Sequence, residues 1–195
     1  MTAGGLSVVG AQVASGIGLA ACAGLRAFLP LLVVGVAGRS GWIPLSEPFA
    51  WLESTPALVV FGVAVVLEIV ADKVPVVDHA LDGLQAWVKP VAGTILAASV
   101  LVELSPLQAT VLGLITGGAV AETVHLTKAG LRLASTTTTA GVANPLLSIA
   151  EDLGAAAGSL LAIVVPLLVV LVALVTIVIA WRGVRRFSRR RGATR

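Results

Sequence analysis

Long uncharged stretches separated by short polar segments dominate the chain, and this pattern predicts membrane helices. The longest stretch runs from Leu153 to Trp181, and two others cover residues 1–25 and 104–121. A helix needs about 20 residues to cross the hydrocarbon core of a bilayer. These three stretches therefore predict three membrane-spanning helices, of which the last is long enough to tilt.

Three shorter uncharged stretches complete a span only when polar residues enter the membrane; they cover residues 27–38, 54–67 and 90–102. A span over residues 54–73 would take Glu68 into its inner part. The first of the three follows Arg26 and contains Pro30, which predicts half of a broken helix or a separate short span. We therefore expect an all-α polytopic transmembrane bundle with about five crossings, within a range of four to six.

A second break is expected where the chain is least apolar. Residues 131–143 contain four consecutive threonines, and this polar, β-branched stretch predicts a loop or a buried re-entrant segment. Asn144-Pro145 follows directly, with a capping residue before a proline that suits the first helical position. Broken or re-entrant helices are thus expected near Pro30 and Pro145.

The stretch at 104–121 carries two further signals. Ser105-Pro106 places a capping residue before a proline, and Gln108 completes a capping box, so a helix is predicted to begin there. Gly113-x-x-x-Gly117 allows close contact with another helix. Packing within one chain explains this glycine pair more simply than a dimer does.

Composition excludes several classes of protein. Of the 195 residues, 57% are hydrophobic and only 12% are charged, against about 25% charged in an average soluble domain. Such a chain is not expected to be disordered, to bind nucleic acid or to be a soluble enzyme. We expect instead a multi-pass protein of the cell membrane, with the lipid bilayer as its partner. Cys22 is the single cysteine, which excludes an intrachain disulfide, and no cofactor is indicated.

The formal net charge of +3 is concentrated at one end of the chain. Seven of the thirteen basic residues lie in the last fourteen positions; they are Arg182, Arg185, Arg186, Arg189, Arg190, Arg191 and Arg195. An arginine cluster after an apolar span is typical of the cytoplasmic side, so we expect one transmembrane domain over 1–181 and a basic cytoplasmic tail over 182–195. The same cluster could bind anionic lipid headgroups.

Two segments of the chain resemble each other. Residues 24–32 and 141–147 are both led by glycine, interrupted by polar residues, and end in Pro-Leu-Leu. Paired, interrupted apolar segments of this kind point to the binding site of a transporter. Chance similarity in an apolar chain of low complexity is the alternative.

The acidic residues inside the apolar pattern are the first candidates for chemistry. Glu68 and Asp72 lie four positions apart and share a helix face. Their repulsion in a low dielectric favours binding of a proton by one of them or of a cation by both, with Lys73 as a neutralising neighbour. The alternative is a salt-bridge cluster near the membrane surface, where Asp72 and Lys73 end the helix.

A second set of ionisable residues follows the stretch at 104–121 at steps of three and four positions; it comprises Glu122, His125, Lys128 and Arg132. The carboxylate of Glu122 and the imidazole of His125 could relay protons, or bind a divalent metal together with Glu68. The alternative is a charged helix end that meets lipid headgroups. Lys128 would then serve to neutralise charge.

Candidates in two further places complete the polar set. Arg26 has apolar neighbours on both sides; it could neutralise Glu68 or Glu122, bind an anion, or extend to an interface. Asn144, Glu151 and Asp152 surround the start of the last long helix. Backbone carbonyls beside Asn144 could coordinate a cation, whereas Ser148 and Glu151 also fit a capping box, which is a purely structural role.

Four motifs carry a resemblance to a known family: GLRAFLPLL, E-x3-DK-x-P-x2-DH, GGAVAETVHLTKAGLR and ANPLLSIAEDLGA. Together they resemble an uncharacterised bacterial membrane family classed as a domain of unknown function, over about residues 20–180. The resemblance implies a compact multi-helix membrane protein and brings no established activity. A weaker likeness links the chain to cation/calcium exchangers, which carry E-x-G-D-(K/R)-(T/S), although Glu68 and Asp72 have one residue more between them.

These residues favour a small transporter or exchanger for a cation or a proton-coupled solute, which we expect to form a homo-oligomer. The proposed ion or solute site comprises Glu68, Asp72, Glu122, His125, Asn144, Glu151 and Asp152, with Arg26, Lys73 and Lys128 as neutralising charges. The alternative is a structural or lipid-binding membrane subunit of a larger assembly, in which the same charges fix helix register. We do not expect an enzyme, since no H-E-x-x-H, G-x-S-x-G or phosphate-binding glycine loop occurs.

Overall fold

The structure, a computed structural model, describes residues 3–72 and 75–166 together with positions 168, 175, 178, 179, 181 and 182. Throughout these residues the regular elements are helical, which confirms the predicted all-α class. In chain order they are α1 (Ala3–Leu25), α2 (Phe28–Arg39), a 3₁₀ helix (Glu47–Glu53), α3 (Thr55–Ala71), α4 (Pro75–Ser99), α5 (Pro106–Leu112), a π-helical segment (Gly113–Gly118), α6 (Ala119–Thr139) and α7 (Asn144–Val164).

Three stretches of helix are long and apolar enough to cross a membrane by length and composition: Ser7–Leu25, Pro106–Thr139 and Asn144–Val164. A fourth is added if the 3₁₀ helix and α3, which meet at an angle of 64°, count as one bent span. The described residues therefore give three or four candidate spans, where the sequence predicted about five. Helix α2 is apolar, but its 12 residues rise only about 18 Å at 1.5 Å per residue, short of the hydrocarbon core.

The core forms around α1, which packs against α4, α6 and α7. Leu19 of α1, Leu31 and Val34 of α2, Leu52 of the 3₁₀ helix and Leu96 of α4 are almost completely buried and belong to one cluster. Burial of each such side chain contributes about 1.5–3 kcal/mol relative to exposure in water. The outer face of α3 stays exposed and carries a row of valines, as expected of a helix in contact with lipid.

Two glycines bring α4 and the π-helical segment into direct backbone contact. A Cβ atom added at Gly117 would lie 2.3 Å from the carbonyl oxygen of Gly93, and one added at Gly93 would lie 2.6 Å from the carbonyl oxygen of Gly117. The close contact expected of Gly113 and Gly117 is thus made within one chain. A π-helical turn contains more residues than an α-helical turn, so this segment is a local deformation of the helix.

We expect Gly117→Ala to destabilise the protein by about 1–3 kcal/mol, because the new methyl group must push two backbones apart. Gly130→Ala on α6 is the matched control, since nothing lies within 4 Å of the added Cβ atom. There alanine favours the helix by about 0.5–1 kcal/mol. Unfolding by sodium dodecyl sulfate in mixed micelles measures both; equal stability of the two variants would contradict the close contact.

Both predicted breaks occur, and at the same end of the bundle. Helix α1 ends at Leu25, Arg26 and Ala27 interrupt it, and α2 begins at Phe28, so the break precedes Pro30 by four residues. The second break lies between α6 and α7, where Ala140 and Gly141 adopt positive φ angles of 52° and 83°. Such left-handed residues commonly end helices.

The threonine-rich stretch is helical, so the prediction of a loop or re-entrant segment over residues 131–143 was wrong for its first nine residues. Helix α6 continues to Thr139. The hydroxyl groups donate hydrogen bonds to carbonyl oxygens one turn earlier, from Thr138 to Ala134 and from Thr139 to Ser135, both over 2.8 Å. These bonds satisfy the side chains within the helix and outweigh the preference of threonine for extended backbone.

Candidate functional site

Six charged side chains from four parts of the fold meet at the end of the bundle where both breaks lie. We call this set the ion-pair cluster; it comprises Arg26, Asp72, Lys128, Arg132, Glu151 and Asp152. Local structure explains how they meet, because Arg26 directly follows the end of α1 and Asp72 directly follows the end of α3. The other four residues lie within α6 and about two turns into α7. The cluster therefore unites residues more than 100 positions apart in the sequence.

Arg26 lies at the centre of the ion-pair cluster, in the break between α1 and α2, with 1% of its surface exposed. Its Nη2 atom lies 2.6 Å from Oδ2 of Asp72 and its Nε atom 2.6 Å from Oδ1 of Asp152. It also donates to Oγ of Ser148 over 3.1 Å. Arg26 thus pairs with the carboxylates of Asp72 and Asp152 rather than with those of Glu68 or Glu122.

The basic residues of α6 hold Glu151. Arg132 donates to both carboxylate oxygens, from Nε over 3.2 Å and from Nη2 over 2.8 Å, and Lys128 lies 2.9 Å from Oε2. A two-pronged contact between guanidinium and carboxylate is among the stronger ion pairs in proteins. The predicted capping box of Ser148 and Glu151 is wrong, because both residues lie inside α7 and face these partners.

Asp72, just beyond the end of α3, has three partners on one carboxylate oxygen. Oδ2 is bonded by Nη2 of Arg26, by Nη2 of Arg132 over 2.8 Å, and by the hydroxyl of Ser148. Burial raises the pKa of this carboxyl, but the hydrogen bonds from Arg132 and Ser148 and the nearby positive charges hold the pKa well below its usual range. These contacts favour the ionised form of Asp72, whose partners are Arg26, Arg132 and Ser148 rather than Glu68.

Glu68 lies on the same helix face as Asp72 but binds different partners. Its Oε1 atom accepts from the backbone N–H of Ala27 over 3.0 Å and its Oε2 atom from that of Phe28 over 3.4 Å. These are free N–H groups at the start of α2, so a buried carboxylate of α3 caps the N-terminus of another helix. Glu68 and Ala27 are 41 positions apart in the sequence, so no local capping pattern predicts this cap.

Glu122 and His125 lie on α6 but make no described contact with the ion-pair cluster. Nδ1 of His125 lies 3.0 Å from Nζ of Lys89 on α4, and the lysine is fully buried. Lys89 is not among the predicted site residues, although a lone lysine between Trp87-Val88 and Pro90-Val91 indicates a buried charge. Oε2 of Glu122 is buried and accepts no hydrogen bond in the described part of the chain.

The remaining predicted site residues are not part of the cluster. Asn144 does not cap α7; its amide donates to Oγ1 of Thr136 over 2.9 Å at the turn between α6 and α7. Lys73 lies outside the described residues. Where side chains are described, no three His, Cys, Asp or Glu residues are grouped to hold a metal ion, so Glu68, Glu122 and His125 do not form the divalent site considered from sequence.

Within the part of the chain that the structure describes, the ion-pair cluster contains three cations and three carboxylates. Asp72 and the two acids of α7, Glu151 and Asp152, come together around the guanidinium of Arg26. The carboxylate of Glu68, which belongs to the predicted site, binds backbone N–H groups instead. Asp152 is the outermost acid, with 22% of its side chain exposed, and its 2.6 Å contact with Arg26 is not aligned as a hydrogen bond. An arrangement of this kind can hold neighbouring helices together. It can also exchange a cationic side chain for a cation from outside the protein.

Comparison with known proteins identifies the family. The model of the family described as "Domain of unknown function (DUF4126)" matches residues 13–186, so the chain belongs to that family. This confirms the resemblance to an uncharacterised family. No curated protein and no solved structure gives a significant match.

Proposed function

We propose that this member of the DUF4126 family is a small membrane transporter or exchanger for a cation or a proton-coupled solute, and that the ion-pair cluster is its binding site in a self-neutralised state. The observation that supports this most is the burial of charged side chains from four parts of the fold beside the break between α1 and α2. An ionisable group inside a membrane costs at least about 2.5–3.5 kcal/mol on insertion scales. Such groups are retained where they bind, relay or gate.

The two similar segments add support. The first, residues 24–32, contributes Arg26, and the second, residues 141–147, is followed directly by Ser148, to which Arg26 donates a hydrogen bond. Both interrupted segments thus lie beside the same polar cluster. Discontinuous helices placed in this way are typical of transporter sites, because their ends offer free backbone groups and fixed partial charges.

In this proposal the guanidinium of Arg26 occupies the position that a transported cation would take. A solute cation, or a proton, competes for Asp152, which is the most exposed acid and makes the least aligned contact. Release of Arg26 from Asp152 then loosens its hold on Asp72 and on Ser148 of α7. The free-energy cost of separating these charges is limited, because each carboxylate exchanges one cation for another.

Flux through reconstituted vesicles tests the proposal. We expect the wild-type protein to carry protons, or a cation such as Na⁺ or K⁺, faster than protein-free vesicles. Asp152→Asn should lower that flux by roughly tenfold or more, because it removes the charge that the solute must bind. Glu103→Gln is the matched control, since Glu103 is exposed and belongs to the turn before α5; it should leave flux unchanged.

A second function, a structural membrane subunit, is favoured by the charge balance of the ion-pair cluster. Among the described residues three cations face three acids, and such networks can fix the register of helices. This function predicts no flux above protein-free vesicles for any tested ion, together with a loss of stability in Asp152→Asn. The same vesicles therefore separate the two functions.

The orientation and assembly of the protein are part of the proposal. We place the C-terminus on the cytoplasmic side, with the basic tail of residues 182–195 against anionic lipid. Apart from Arg182, that tail lies outside the described residues. We also propose a homo-oligomer, because a chain with three or four candidate spans forms a small bundle.

A further inference from the structure

Two tryptophans lie exposed on the segment that joins α2 to α3. Trp42 is 72% exposed, and Trp51 of the 3₁₀ helix is 47% exposed; we call them the tryptophan pair. In water an indole ring exposes apolar surface, and in hydrocarbon its N–H group lacks an acceptor. The ester and headgroup region of a bilayer suits both parts of the ring, and tryptophan is enriched there.

The segment that carries the tryptophan pair is fixed to the helices behind it. The backbone N–H of Trp42 donates to the carbonyl oxygen of Ala37 over 2.9 Å, and that of Ser46 donates to the carbonyl oxygen of Ser99 over 2.7 Å. Leu52 is completely buried. The 3₁₀ helix meets α3 at 64°, so it runs across the direction of α3 rather than along it. The tryptophan pair therefore has a defined level relative to the bundle.

The ion-pair cluster lies at the other end of α2 and α3. Helix α3 begins shortly after Trp51 and ends directly before Asp72. Its 17 residues rise about 25 Å, which is close to the roughly 30 Å of hydrocarbon in a bilayer. Helix α2 runs beside α3 in the opposite direction, because its last residue donates to Thr55 and its first free N–H groups bind Glu68. Both helices thus connect the level of the tryptophan pair with that of the cluster.

A third tryptophan lies level with the ion-pair cluster. A Cβ atom added at Gly16 of α1 would lie 3.1 Å from Cα of Ala97 on α4, so these two positions are side by side. From there Arg26 and Trp87 are each ten positions away along the chain, or about 15 Å of helix. Helix α4 ends at the segment of the tryptophan pair, where Ser99 is bonded, whereas α1 ends at the cluster. Trp87 is therefore at the depth of Arg26, and it is 79% exposed.

The surface and the core between the two levels are apolar. Large hydrophobic side chains cover the exposed face of α3; they are Val59, Val60, Val63, Val66, Leu67 and Val70. On α2 and α4, Leu31, Val34 and Leu96 belong to the core cluster and are at most 4% exposed. Beyond the ion-pair cluster, α6 continues from Arg132 to Thr139 and exposes its four threonines. The apolar band of the protein thus ends near the level of the cluster.

We propose that the tryptophan pair lies in one headgroup interface of the membrane and Trp87 in the other, with the ester and phosphate groups of phospholipids as their partners. The ion-pair cluster then lies near the membrane surface at Trp87, and in this conformation a solute enters it from that side. The apolar core closes the path from the side of the tryptophan pair. The inference rests on the proposed function, because it names the side from which the proposed site is reached.

Quenching of tryptophan fluorescence by brominated phospholipids tests the two levels. The chain has four tryptophans, so each variant keeps one of them and carries phenylalanine at the other three. We expect Trp42 alone, and Trp87 alone, to lose more fluorescence with bromine near the glycerol ester than with bromine near the end of the acyl chain. Val63→Trp in a chain without native tryptophans is the matched control, because Val63 lies midway along α3 and is 55% exposed. It should show the opposite order.

Two results of the fluorescence experiment would overturn the proposal. One is a quenching order at Trp42 or Trp87 that matches the order at Val63→Trp. The other is the absence of quenching by any brominated lipid at Trp42, as when a second copy of the chain covers it.

Labelling of introduced cysteines with a membrane-impermeant maleimide tests the side of entry. Cys22→Ala removes the single native cysteine, and Ser40→Cys and Thr137→Cys place thiols at exposed positions beyond the two levels. In sealed vesicles of one orientation, we expect one of the two thiols to react at once and the other only after permeabilisation. Asp152→Cys should react from the side of Thr137→Cys alone. Amidation of Asp152 in the unaltered chain, by an impermeant carbodiimide and amine, repeats this last measurement if the cysteine variant does not fold.

The outcomes are distinct from those of the flux experiment. Reaction of Ser40→Cys and Thr137→Cys from the same side overturns the two levels. Modification at Asp152 from the side of Ser40→Cys, or from neither side, overturns the side of entry. The expected labelling in a protein without flux keeps this inference and refutes transport, whereas flux with entry from the side of Ser40→Cys supports transport and overturns the inference.

Discussion

Replacing Arg26 with methionine is expected to lower the free energy of unfolding by about 3–5 kcal/mol. Methionine fills much of the same volume, but it removes the cation that contacts Asp152 and leaves Asp72 with Arg132 and Ser148 alone, in a place where Arg26 is 1% exposed. An uncompensated buried charge is far more costly than the ion pair is stabilising. Titration with sodium dodecyl sulfate in mixed micelles, followed by circular dichroism, measures the loss.

Two comparisons make this expectation specific to the ion-pair cluster. Arg39→Met removes an exposed arginine that donates to Oγ1 of Thr55, and it should cost less than about 1 kcal/mol. Adding Asp152→Asn to Arg26→Met should restore about 0.5–3 kcal/mol, since it removes one orphaned charge. If Arg26→Met and Arg39→Met were equally stable, Arg26 would not be the buried centre of the cluster.

Replacing Glu68 with leucine is expected to cost about 2–4 kcal/mol. The change leaves the backbone N–H groups of Ala27 and Phe28 without their acceptor at the buried start of α2, and each such group costs about 1–3 kcal/mol. Glu68→Gln should cost less, about 1–2 kcal/mol, because its amide oxygen can still accept one of the two bonds. The same denaturant titration ranks the two variants.

Hydrogen exchange adds a local measurement to this second prediction. The amides of Ala27 and Phe28 should exchange faster in Glu68→Leu than in the wild-type protein, since the cap that protects them is gone. Glu103→Leu, at an exposed glutamate, should change stability by less than about 0.5 kcal/mol. Unchanged exchange at Ala27 in Glu68→Leu would show that the carboxylate does not cap α2.

Stability and flux together decide the role of the ion-pair cluster. A binding site must tolerate loss of its outermost acid, so a transporter loses flux in Asp152→Asn while the protein stays folded. A structural network loses stability in the same variant, because Arg26 then lacks one of its two closest acids. The comparison is sharpest at Asp152, whose side chain is the most exposed of the cluster.

Local sequence was sufficient for features that depend on neighbouring residues. The uncharged stretches predicted the helices, and the capping box at Ser105 and Gln108 is present with bonds of 3.1 and 3.4 Å. Both helix interruptions occur close to the predicted prolines. The capping error at Asn144 and the threonine-rich stretch show the limit of local sequence. Asn144 bonds to Thr136 of the preceding helix, and the threonine hydroxyls bond to carbonyl oxygens within α6.

Only the tertiary structure decided which charge meets which. Sequence spacing placed Glu68 and Asp72 on one face, yet one caps α2 and the other binds Arg26, because different elements lie against each of them. The buried pair of Lys89 and His125 likewise depends on the packing of α4 against α6. Hydrophobic burial is non-directional, so the apolar pattern selects helices but not their neighbours; the partner of a buried charge is fixed only when the backbones come together, as at Gly93 and Gly117.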